Sequence, residues 1–399
     1  MSTLLPAVGV SCFGRGRRLQ LLGQPAFWLF VAILAAAGVA TLRQQSIFRD
    51  ISPSGWLLAW TLMIVYALPI FVVVFTVDLF ERESIPLVIA ALLWGGIAAA
   101  ALAAIANRGW ALAFARIAAP DFASEWTAAL VAPGVEETLK LCGVVLIYLM
   151  ARREIRDLLD GFVYGAICGL GFLVVEDVFY FMGVFGGRPV AVLQGFFLRI
   201  VAGGLYGHLL YTGLSGMGVA YFATRKGKTS ALRRISVAGA LVLLGMFAHF
   251  LWNLPWLDLF RHRPWSLVDL IVVAFAAVVE AMPFVLFVVL TVVLARRREA
   301  RWLGADMETE VDGQALLPGE LEVLRSPRLR REAVRDMHRR AGPRAAALLK
   351  RLQRMQIDLA MVRSWAETDD DPALMSQRAY CRSLRDALSA VPAAAPASR

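Results

Sequence analysis

The sequence predicts an all-α protein, a polytopic transmembrane helical bundle of about eight spans with a small helical tail at its C-terminal end. Of its 399 residues, 59% are hydrophobic and only 18% are charged, and the mean hydropathy is +0.63. Soluble domains are on average about half apolar and about a quarter charged. Several apolar runs reach the roughly 20 residues with which a helix crosses a bilayer. Composition and run length therefore predict the same fold class.

Eight segments are long and apolar enough to be predicted as spans. They lie at 26–42, 56–77, 85–106, 127–150, 161–185, 203–223, 235–256 and 265–295. A basic stretch precedes the first segment, which we interpret as a retained signal anchor, with a cleaved signal peptide as the alternative. The apolar segment 190–202 contains Gln194 and Arg199. It is either a re-entrant helix or an extension of the sixth span.

Lysine and arginine are unevenly divided between the two sides of the predicted bundle. The side with both termini carries 16 of them in its connections, and the opposite side carries 7. This difference predicts that both termini are cytoplasmic and that the chain lies in the plasma or inner membrane. Topology and attraction to lipid headgroups also account for the net charge of +10. The lipid bilayer is therefore a predicted partner, and nucleic acid is not.

Three regions follow from this topology. They are a basic cytoplasmic N-terminus at 1–25, a transmembrane domain at 26–299 and a cytoplasmic helical tail at 300–399. Prolines separate amphipathic stretches in the tail, including predicted helices at 328–340 and 344–366. The tail shows no catalytic pattern, and its end is predicted to be disordered. We expect it to serve regulation or assembly and to bind a cytoplasmic partner.

Ionisable residues occur inside several of the predicted spans. Near the bilayer centre each costs a few kcal/mol, and such residues usually mark function. Spans four to seven contain, in order, Glu136, Glu137 and Lys140, then Glu176, then His208, and finally His249 and Asn253. A structural ion pair with Lys140 would explain one glutamate of the fourth span. It would leave the second glutamate unexplained.

Four of these residues are predicted to lie at one depth: Glu137, Glu176, His208 and His249. Counted from the outer end of each span at about 1.5 Å per residue, they lie roughly 8–15 Å below the outer surface. Unrelated structural residues on four helices would not be expected to converge in this way. We therefore predict a single site in the outer half of the bilayer.

Two carboxylates and two imidazoles can activate water in two ways. They can hold Zn²⁺ or another divalent ion with an open position, and Glu137, Glu176, His208 and His249 are then the candidate ligands. Alternatively, a glutamate acts on the water directly, with a histidine as partner and Asn253 as a donor to the oxyanion. No G-x-S-x-G or H-E-x-x-H motif occurs, so serine hydrolases and zincins are not supported. The catalytic candidates are Glu136, Glu137, Lys140, Glu176, His208, His249 and Asn253.

Four short motifs in this order resemble the PrsW family of membrane-embedded proteases. They are EETLK at 136–140, FLVVE at 172–176, His208, and HFLWN at 249–253. Within the larger superfamily that processes CAAX proteins and bacteriocins, the lysine and the second-motif glutamate are similar to the PrsW branch. The resemblance covers roughly residues 25–295 and implies an intramembrane endopeptidase, either a metalloprotease or a glutamate-dependent protease. It also implies extracytoplasmic cleavage of a single-pass anti-sigma factor, so we expect a single-pass membrane protein as substrate.

Two alternative hypotheses from other functional classes are also compatible with the sequence. A proton- or cation-coupled transporter could use the same glutamates and histidines as a relay. Transporters often show internal repeats, and none is evident between the halves of this chain. A sensor without catalysis is the third reading, and it would tolerate the loss of Glu137 or His249.

Overall fold

The chain forms two compact units that divide near residue 292. The computed structural model describes residues 21–391 except for 76–83, 153–154, 156, 203–206, 227–228, 256–265, 309, 312–314, 364–365 and 367. Most of the predicted N-terminal region and the predicted disordered end lie outside these residues. The regular elements in the described residues are all helical, which confirms the predicted fold class.

The apolar helices belong to the first unit, except that the last of them continues past Val292 into the second unit. They are α1 (Pro25–Ile51), α2 (Pro53–Phe75), α3 (Ile85–Phe114), α4 (Pro120–Met150), α5 (Leu158–Val184), α6 (Pro189–Val201), α7 (Gly207–Thr224), α8 (Ala231–Trp252) and α9 (Leu267–Glu308). Each predicted span overlaps one of them. Within the described residues, six are long and apolar enough to cross a membrane: α1, α2, α3, α5, α8 and the Ala274–Leu294 part of α9. The protein is therefore a multi-pass membrane protein, and the predicted count of eight is approximate.

The two remaining predicted spans, α4 and α7, contribute four of the candidate site residues. Helix α4 is 31 residues long, but three charged residues in its middle lower its apolar character. Helix α7 has 18 residues, and the predicted start of its span, at 203–206, lies outside the described residues. Helices α4 and α7 therefore fall outside the length and hydropathy criterion for a span, whereas α5 and α8, which also carry site residues, meet it.

Local sequence explains where several helices begin. Helices α1, α4 and α6 start at proline, whose fixed φ suits the first helical position and whose missing N–H is not needed there. Asp157 caps α5, because its carboxylate accepts hydrogen bonds from the backbone N–H groups of Leu159 and Asp160. The Asp160 side chain accepts in return from the backbone N–H of Asp157. These reciprocal bonds form a capping box that fixes the start of α5.

Helix α5 lies at the centre of the bundle. Of its most apolar 18-residue window, 89% is buried, against 17–22% for α1, α2, α8 and the apolar part of α9. Gly161, Gly165 and Gly169, each four residues from the next, bring α5 against α7. A Cβ at Gly169 would lie 2.2 Å from the carbonyl oxygen of His208. Only glycine permits this approach, which sets the position of His208.

Other contacts fix α3 and α4 against α5. The indole Nε1 of Trp94 donates a hydrogen bond to the carbonyl oxygen of Leu139 at 2.9 Å, within the polar segment of α4. Trp94 begins a π-helical turn in α3, and further π-helical turns occur at Tyr180–Val184 and Phe197–Ala202. Such turns are frequent near functional sites. All three lie on helices that line the cavity described below.

The segment predicted at 190–202 forms its own helix, α6. At a rise of about 1.5 Å per residue it is roughly 20 Å long, which is short of a bilayer core about 30 Å thick. It ends in the π-helical turn Phe197–Ala202. The connection to α7 lies outside the described residues, so both predicted readings of this segment stay open.

The second unit is a helical domain with its own apolar core. It contains α10 (Glu320–Arg325), α11 (Pro327–Arg363) and α12 (Pro372–Ser389). Helix α11 breaks at Gly342, whose φ of 83° lies in the left-handed region that favours glycine. Its first half folds back along the second, since Gln353 Nε2 donates to the carbonyl oxygen of Arg330. This hairpin corresponds to the helices predicted at 328–340 and 344–366, although the second ends at Arg363.

Candidate active site

Six of the seven candidate residues meet in one buried cluster within the first unit. Glu136, Glu137 and Lys140 come from α4, Glu176 from α5, His208 from α7 and His249 from α8. Five of them are at most 5% exposed, and the side chain of Glu176 is 16% exposed. The four helices therefore bring together the residues that the sequence placed in one layer.

The carboxylate of Glu137 lies at the centre of this cluster. Its Oε1 accepts from Lys140 Nζ at 2.7 Å and from His249 Nδ1 at 3.0 Å. Its Oε2 accepts from Thr212 Oγ1 at 2.8 Å. Because an ionised carboxylate can only accept, the proton of His249 lies on Nδ1. The Nε2 atom of His249 therefore presents a lone pair.

His208 has the opposite tautomer. Lys140 Nζ lies 2.6 Å from His208 Nδ1, and an ammonium group can only donate, so Nδ1 accepts. The Nε2–H of His208 then donates to Glu176 Oε2 at 2.8 Å. Lys140 also lies 3.7 Å from the centroid of the Phe172 ring, a cation–π contact. One lysine thus orients one histidine and one glutamate.

Glu136 differs from its neighbour because only one of its oxygens is hydrogen-bonded within the described residues. Oε1 accepts from Asn107 Nδ2 at 2.8 Å. Oε2 is buried and accepts no hydrogen bond from any described residue. The nearest polar groups are Lys140 Nζ at 3.6 Å and His249 Nε2 at 3.8 Å. A buried polar atom without a partner is rare, and it points to an occupant of the space beside it.

That space is a cavity of about 470 Å³. Its polar lining comes from six helices and includes Asn107, Glu136, Glu176, Arg199, His208, His249 and Asn253. The wall formed by α3 and α4 consists mainly of small residues: Ala100, Ala103, Ala104, Ala111, Ser124, Thr127, Ala128 and Ala132. A cavity with one apolar wall and convergent polar groups is the usual form of a ligand site.

A second charged group, on α5 and α6, adjoins the cluster. Arg199 donates through Nε to Asp177 Oδ1 and lies 3.4 Å from Glu176 Oε2 through Nη2. Its guanidinium carbon lies 3.7 Å from the centroid of the Tyr180 ring. Glu176 is therefore held from both sides, by Arg199 and by His208.

Sequence reasoning placed Asn253 in the site and missed Asn107 and Thr212. Asn253 lines the same cavity, but its Nδ2 donates to the carbonyl oxygen of Ala128 at 3.2 Å. Thr212 lies one turn after His208, and a search for polar residues at helical spacing could have found it. Asn107 lies in an alanine-rich span, and it is one of only two asparagines in the chain.

Three side chains could together hold a metal ion. Glu136, His208 and His249 each offer one ligand atom, and these atoms lie within 4.8 Å of one another. The set predicted from the sequence had Glu137 and Glu176 in place of Glu136. Both oxygens of Glu137 already accept hydrogen bonds from protein groups. Glu137 is thus arranged to orient His249, and the predicted set of ligands stays a prediction.

Comparison with known proteins gives the family. A family model described as PrsW family intramembrane metalloprotease matches residues 83–294, more than half of the chain. The chain belongs to the PrsW family. The match includes α3 to α8 and the apolar part of α9, and so every helix that contributes to the cluster. A search of curated proteins found no match, and a search of solved structures found none either.

Membership of the PrsW family identifies the chain as an intramembrane peptidase. It does not favour the transporter reading. The predicted family resemblance is thus confirmed, and so are the predictions of a membrane protein and of intramembrane proteolysis. The family match concerns the first unit, because it ends at residue 294 and the helical tail lies beyond it.

Proposed function

We propose that this PrsW-family protein hydrolyses a peptide bond of a single-pass membrane protein in the cavity beside Glu136. One observation carries the proposal: Glu136 Oε2 is a buried carboxylate oxygen that borders a cavity and accepts no hydrogen bond from the described residues. Such an atom can take a proton from a water molecule. The other oxygen is fixed by Asn107, so the free one keeps its direction.

Glu136 and His249 act on the same water in this proposal. The lone pair of His249 Nε2 lies 3.8 Å from Glu136 Oε2, a separation that one water can bridge. The water oxygen attacks the scissile carbonyl carbon while its proton passes to Glu136 Oε2. The same proton then goes to the amide nitrogen as the C–N bond breaks. Glu137 keeps His249 in the required tautomer, as the aspartate of a serine-protease triad does for its histidine.

Positive charge and amide donors stabilise the transition state. Lys140 Nζ, 3.6 Å from Glu136 Oε2, balances the cluster of carboxylates. An asparagine side chain has two N–H donors, and the hydrogen bond to Ala128 uses one of those of Asn253. The second is available to the oxyanion, and a donor in that role contributes about 3–4 kcal/mol in other enzymes.

The cluster also fits a divalent metal ion. One glutamate and two histidines with ligand atoms within 4.8 Å form a set that catalytic zinc uses, and the free oxygen of Glu136 suits a ligand. Glu136, His208 and His249 would hold the ion. Binding through Nε2 would move the His208 proton to Nδ1, so His208 would give up its hydrogen bonds with both Glu176 and Lys140. A bound ion would supply Lewis-acid activation of the water and of the scissile carbonyl. Glu137, behind His249 Nδ1, would be the outer carboxylate that such sites commonly have.

Metal analysis separates the two versions of this chemistry. In the metal version we expect about one divalent ion per purified chain, less in Glu136→Gln and His249→Ala, and loss of cleavage on chelation. Metal-free protein that still cleaves would leave Glu136 as the base acting directly on water. Either result keeps Glu136 in the site.

The substrate class rests on the family resemblance and on the predicted topology. Loop charges and span depths predict that the cluster lies in the outer half of the bilayer. A single-pass protein of the anti-sigma-factor type, cut near its extracytoplasmic side, suits that depth. The tail, on the cytoplasmic side in this topology, would bind a regulatory partner.

The test is a cleavage assay with purified protein in liposomes and a purified single-pass anti-sigma factor. We expect cleavage by the wild type and a loss of about 100-fold or more in Glu136→Gln and His249→Ala, with insertion unchanged. Wild-type rates in both variants would falsify the proposal. Proton or cation uptake into the same liposomes, without cleavage, would instead support a transporter.

A further inference from the structure

Asn107 extends the site onto α3, a helix on which the sequence marked no functional residue. Its Nδ2 donates to Glu136 Oε1 at 2.8 Å. An ionised carboxylate can only accept, so the amide nitrogen must face Glu136 and the amide oxygen Oδ1 must point elsewhere. The two ends of this amide therefore have separate surroundings.

The Oδ1 atom of Asn107 is buried and accepts no hydrogen bond from the part of the chain that the structure describes. Asn107 lines the cavity beside Glu136. The cavity wall therefore contains two buried oxygens without donors, Glu136 Oε2 and Asn107 Oδ1. Leaving an acceptor unsatisfied costs stability, so an occupant that brings hydrogen-bond donors is expected there.

The proposed substrate brings such donors. A transmembrane helix satisfies its backbone N–H groups internally. A protease must open part of that helix to reach a peptide bond, and opening it frees N–H groups where little water can accept them. An N–H group without an acceptor costs free energy, and an acceptor on the enzyme removes that cost. Water can pair with Glu136 Oε2, which leaves Asn107 Oδ1 for the peptide.

We propose that Asn107 Oδ1 accepts a backbone N–H of the locally unwound substrate beside the scissile bond, while Asn107 Nδ2 positions Glu136. The substrate class is then an opened stretch of transmembrane helix, recognised through its main chain. The inference rests on the proposed proteolytic function.

Two variants separate the two ends of the amide. Asn107→Asp keeps an oxygen acceptor of the same shape but replaces the amide donor by a second carboxyl group, which would share a proton with the buried Glu136 and impair it as a base. Asn107→Leu loses both the acceptor and the donor. We expect Asn107→Asp to lower kcat about tenfold or more with KM changed less than about threefold. Asn107→Leu should also raise KM about tenfold, as the loss of a hydrogen bond to a buried partner predicts. Thr138→Val, on the exposed side of α4, is the control that should match the wild type.

Ester substitution in the substrate identifies the N–H directly. The probe is a synthetic single-span peptide that contains the cleavage site mapped by mass spectrometry in the liposome assay. Each amide near that site is replaced in turn by an ester, which removes one N–H. We expect one position at which the ester raises KM about tenfold for the wild type and has no further effect in Asn107→Leu. Equal ester effects in both enzymes at every position would overturn the proposal.

A binding measurement distinguishes failure of this inference from failure of the proposed function. The same peptide, carrying a fluorophore, is titrated against His249→Ala and His249→Ala/Asn107→Leu in lipid nanodiscs, where cleavage is blocked. We expect about tenfold weaker binding by the double variant. Equal binding, with cleavage by the wild type intact, would overturn the role of Asn107 alone. Absence of cleavage by the wild type would overturn the proposed function and this inference with it.

Discussion

Two groups of carboxylates, one in each unit, differ in how completely their oxygens are hydrogen-bonded. In the second unit, Glu310 is 1% exposed, and Arg378 binds both of its oxygens, at 2.7 and 2.8 Å. Arg385 binds both oxygens of Glu320 in the same way, at 2.9 and 2.6 Å. Gln356 adds a further hydrogen bond to Glu320. Each of these carboxylates is satisfied by a fork of two donors.

The membrane cluster has a similar number of charges, but one of its carboxylate oxygens accepts no hydrogen bond. Glu137 has both oxygens paired, as Glu310 does, but Glu136 Oε2 accepts no hydrogen bond within the described residues and borders a cavity. A buried carboxylate whose oxygens are both paired has no lone pair directed at a ligand, and removing its partner costs about 3–5 kcal/mol because the charge is left uncompensated. The difference indicates that pairing, rather than burial or charge, separates a structural carboxylate from one available for chemistry.

The largest effect in this comparison is expected at Glu137. Both of its oxygens are hydrogen-bonded, and it orients His249, whose Nε2 lies beside Glu136. In Glu137→Gln the amide can turn a donor toward His249 Nδ1, so His249 loses its tautomer. We expect kcat to fall by about 10²–10⁴ in the liposome assay, as in enzymes in which a carboxylate orients a histidine. Cleavage within about threefold of the wild type would mean that Glu137 is structural, like Glu310.

The next effect concerns the glycine that lets α7 approach α5. A Cβ at Gly169 would lie 2.2 Å from the carbonyl oxygen of His208, so Gly169→Ala must displace His208. A shift of about 1 Å in a catalytic group can cost about 100-fold in rate. Gly134→Ala, on α4, is the matched control, because a Cβ there meets nothing within 4 Å. Equal rates in the two variants would show that the position of His208 is not critical.

Removing the arginine partner of Glu310 in the second unit should lower the stability of the tail and leave the cleavage rate unchanged. Arg378→Ala removes the donors to both oxygens of Glu310, although Arg363 Nε remains 3.8 Å from Glu310 Oε1. We expect the tail to lose about 2 kcal/mol, somewhat below the usual loss for a broken buried pair. Hydrogen exchange of the full chain measures this loss within α10 to α12. Cleavage should stay within about twofold of the wild type, and a larger fall would show that the tail supports the site.

The smallest effect is a pH dependence in the same unit. Burial tends to raise the pKa of Glu320, but hydrogen bonds from Arg385, the Leu317 backbone N–H and Gln356 lower it below its usual value. The folded pKa thus lies below the unfolded one. The pair stabilises the tail above about pH 4.5, and this contribution is lost as the pH falls through the folded pKa.

We therefore expect hydrogen exchange of α10 to α12 to accelerate on acidification below about pH 4.5. Glu320→Gln should flatten that dependence. The control is Glu322→Gln, since Glu322 is exposed on the same short helix and should leave the dependence unchanged. Identical acid profiles for the wild type and Glu320→Gln would contradict the assignment to Glu320.

The sequence predicted the membrane bundle and six members of the cluster, because ionisable residues within apolar runs can be recognised without a structure. Glu137, Glu176, His208 and His249 could be placed at one depth because the rise of a helix is regular. The break in the tail was predictable from Gly342 and the following proline.

Pairing within the cluster was not predictable. Glu136 and Glu137 are adjacent in sequence but accept hydrogen bonds from different residues. The rotation of α4, which sets this difference, depends on contacts such as that of Trp94 with Leu139. Asn107 lies 29 residues before its partner Glu136. No helical periodicity relates positions on different helices, so this contact appears only in three dimensions.

One matched pair of variants tests the central claim most directly. Glu136→Gln and Glu310→Gln remove the same charge from two buried glutamates, one with a free oxygen beside a cavity and one fully paired. Both would be assayed for cleavage of the same single-pass substrate in liposomes, per folded molecule. We predict a loss of about 100-fold or more for Glu136→Gln and less than about threefold for Glu310→Gln. Equal rates in the two variants would contradict the claim that the unpaired oxygen of Glu136 carries the chemistry.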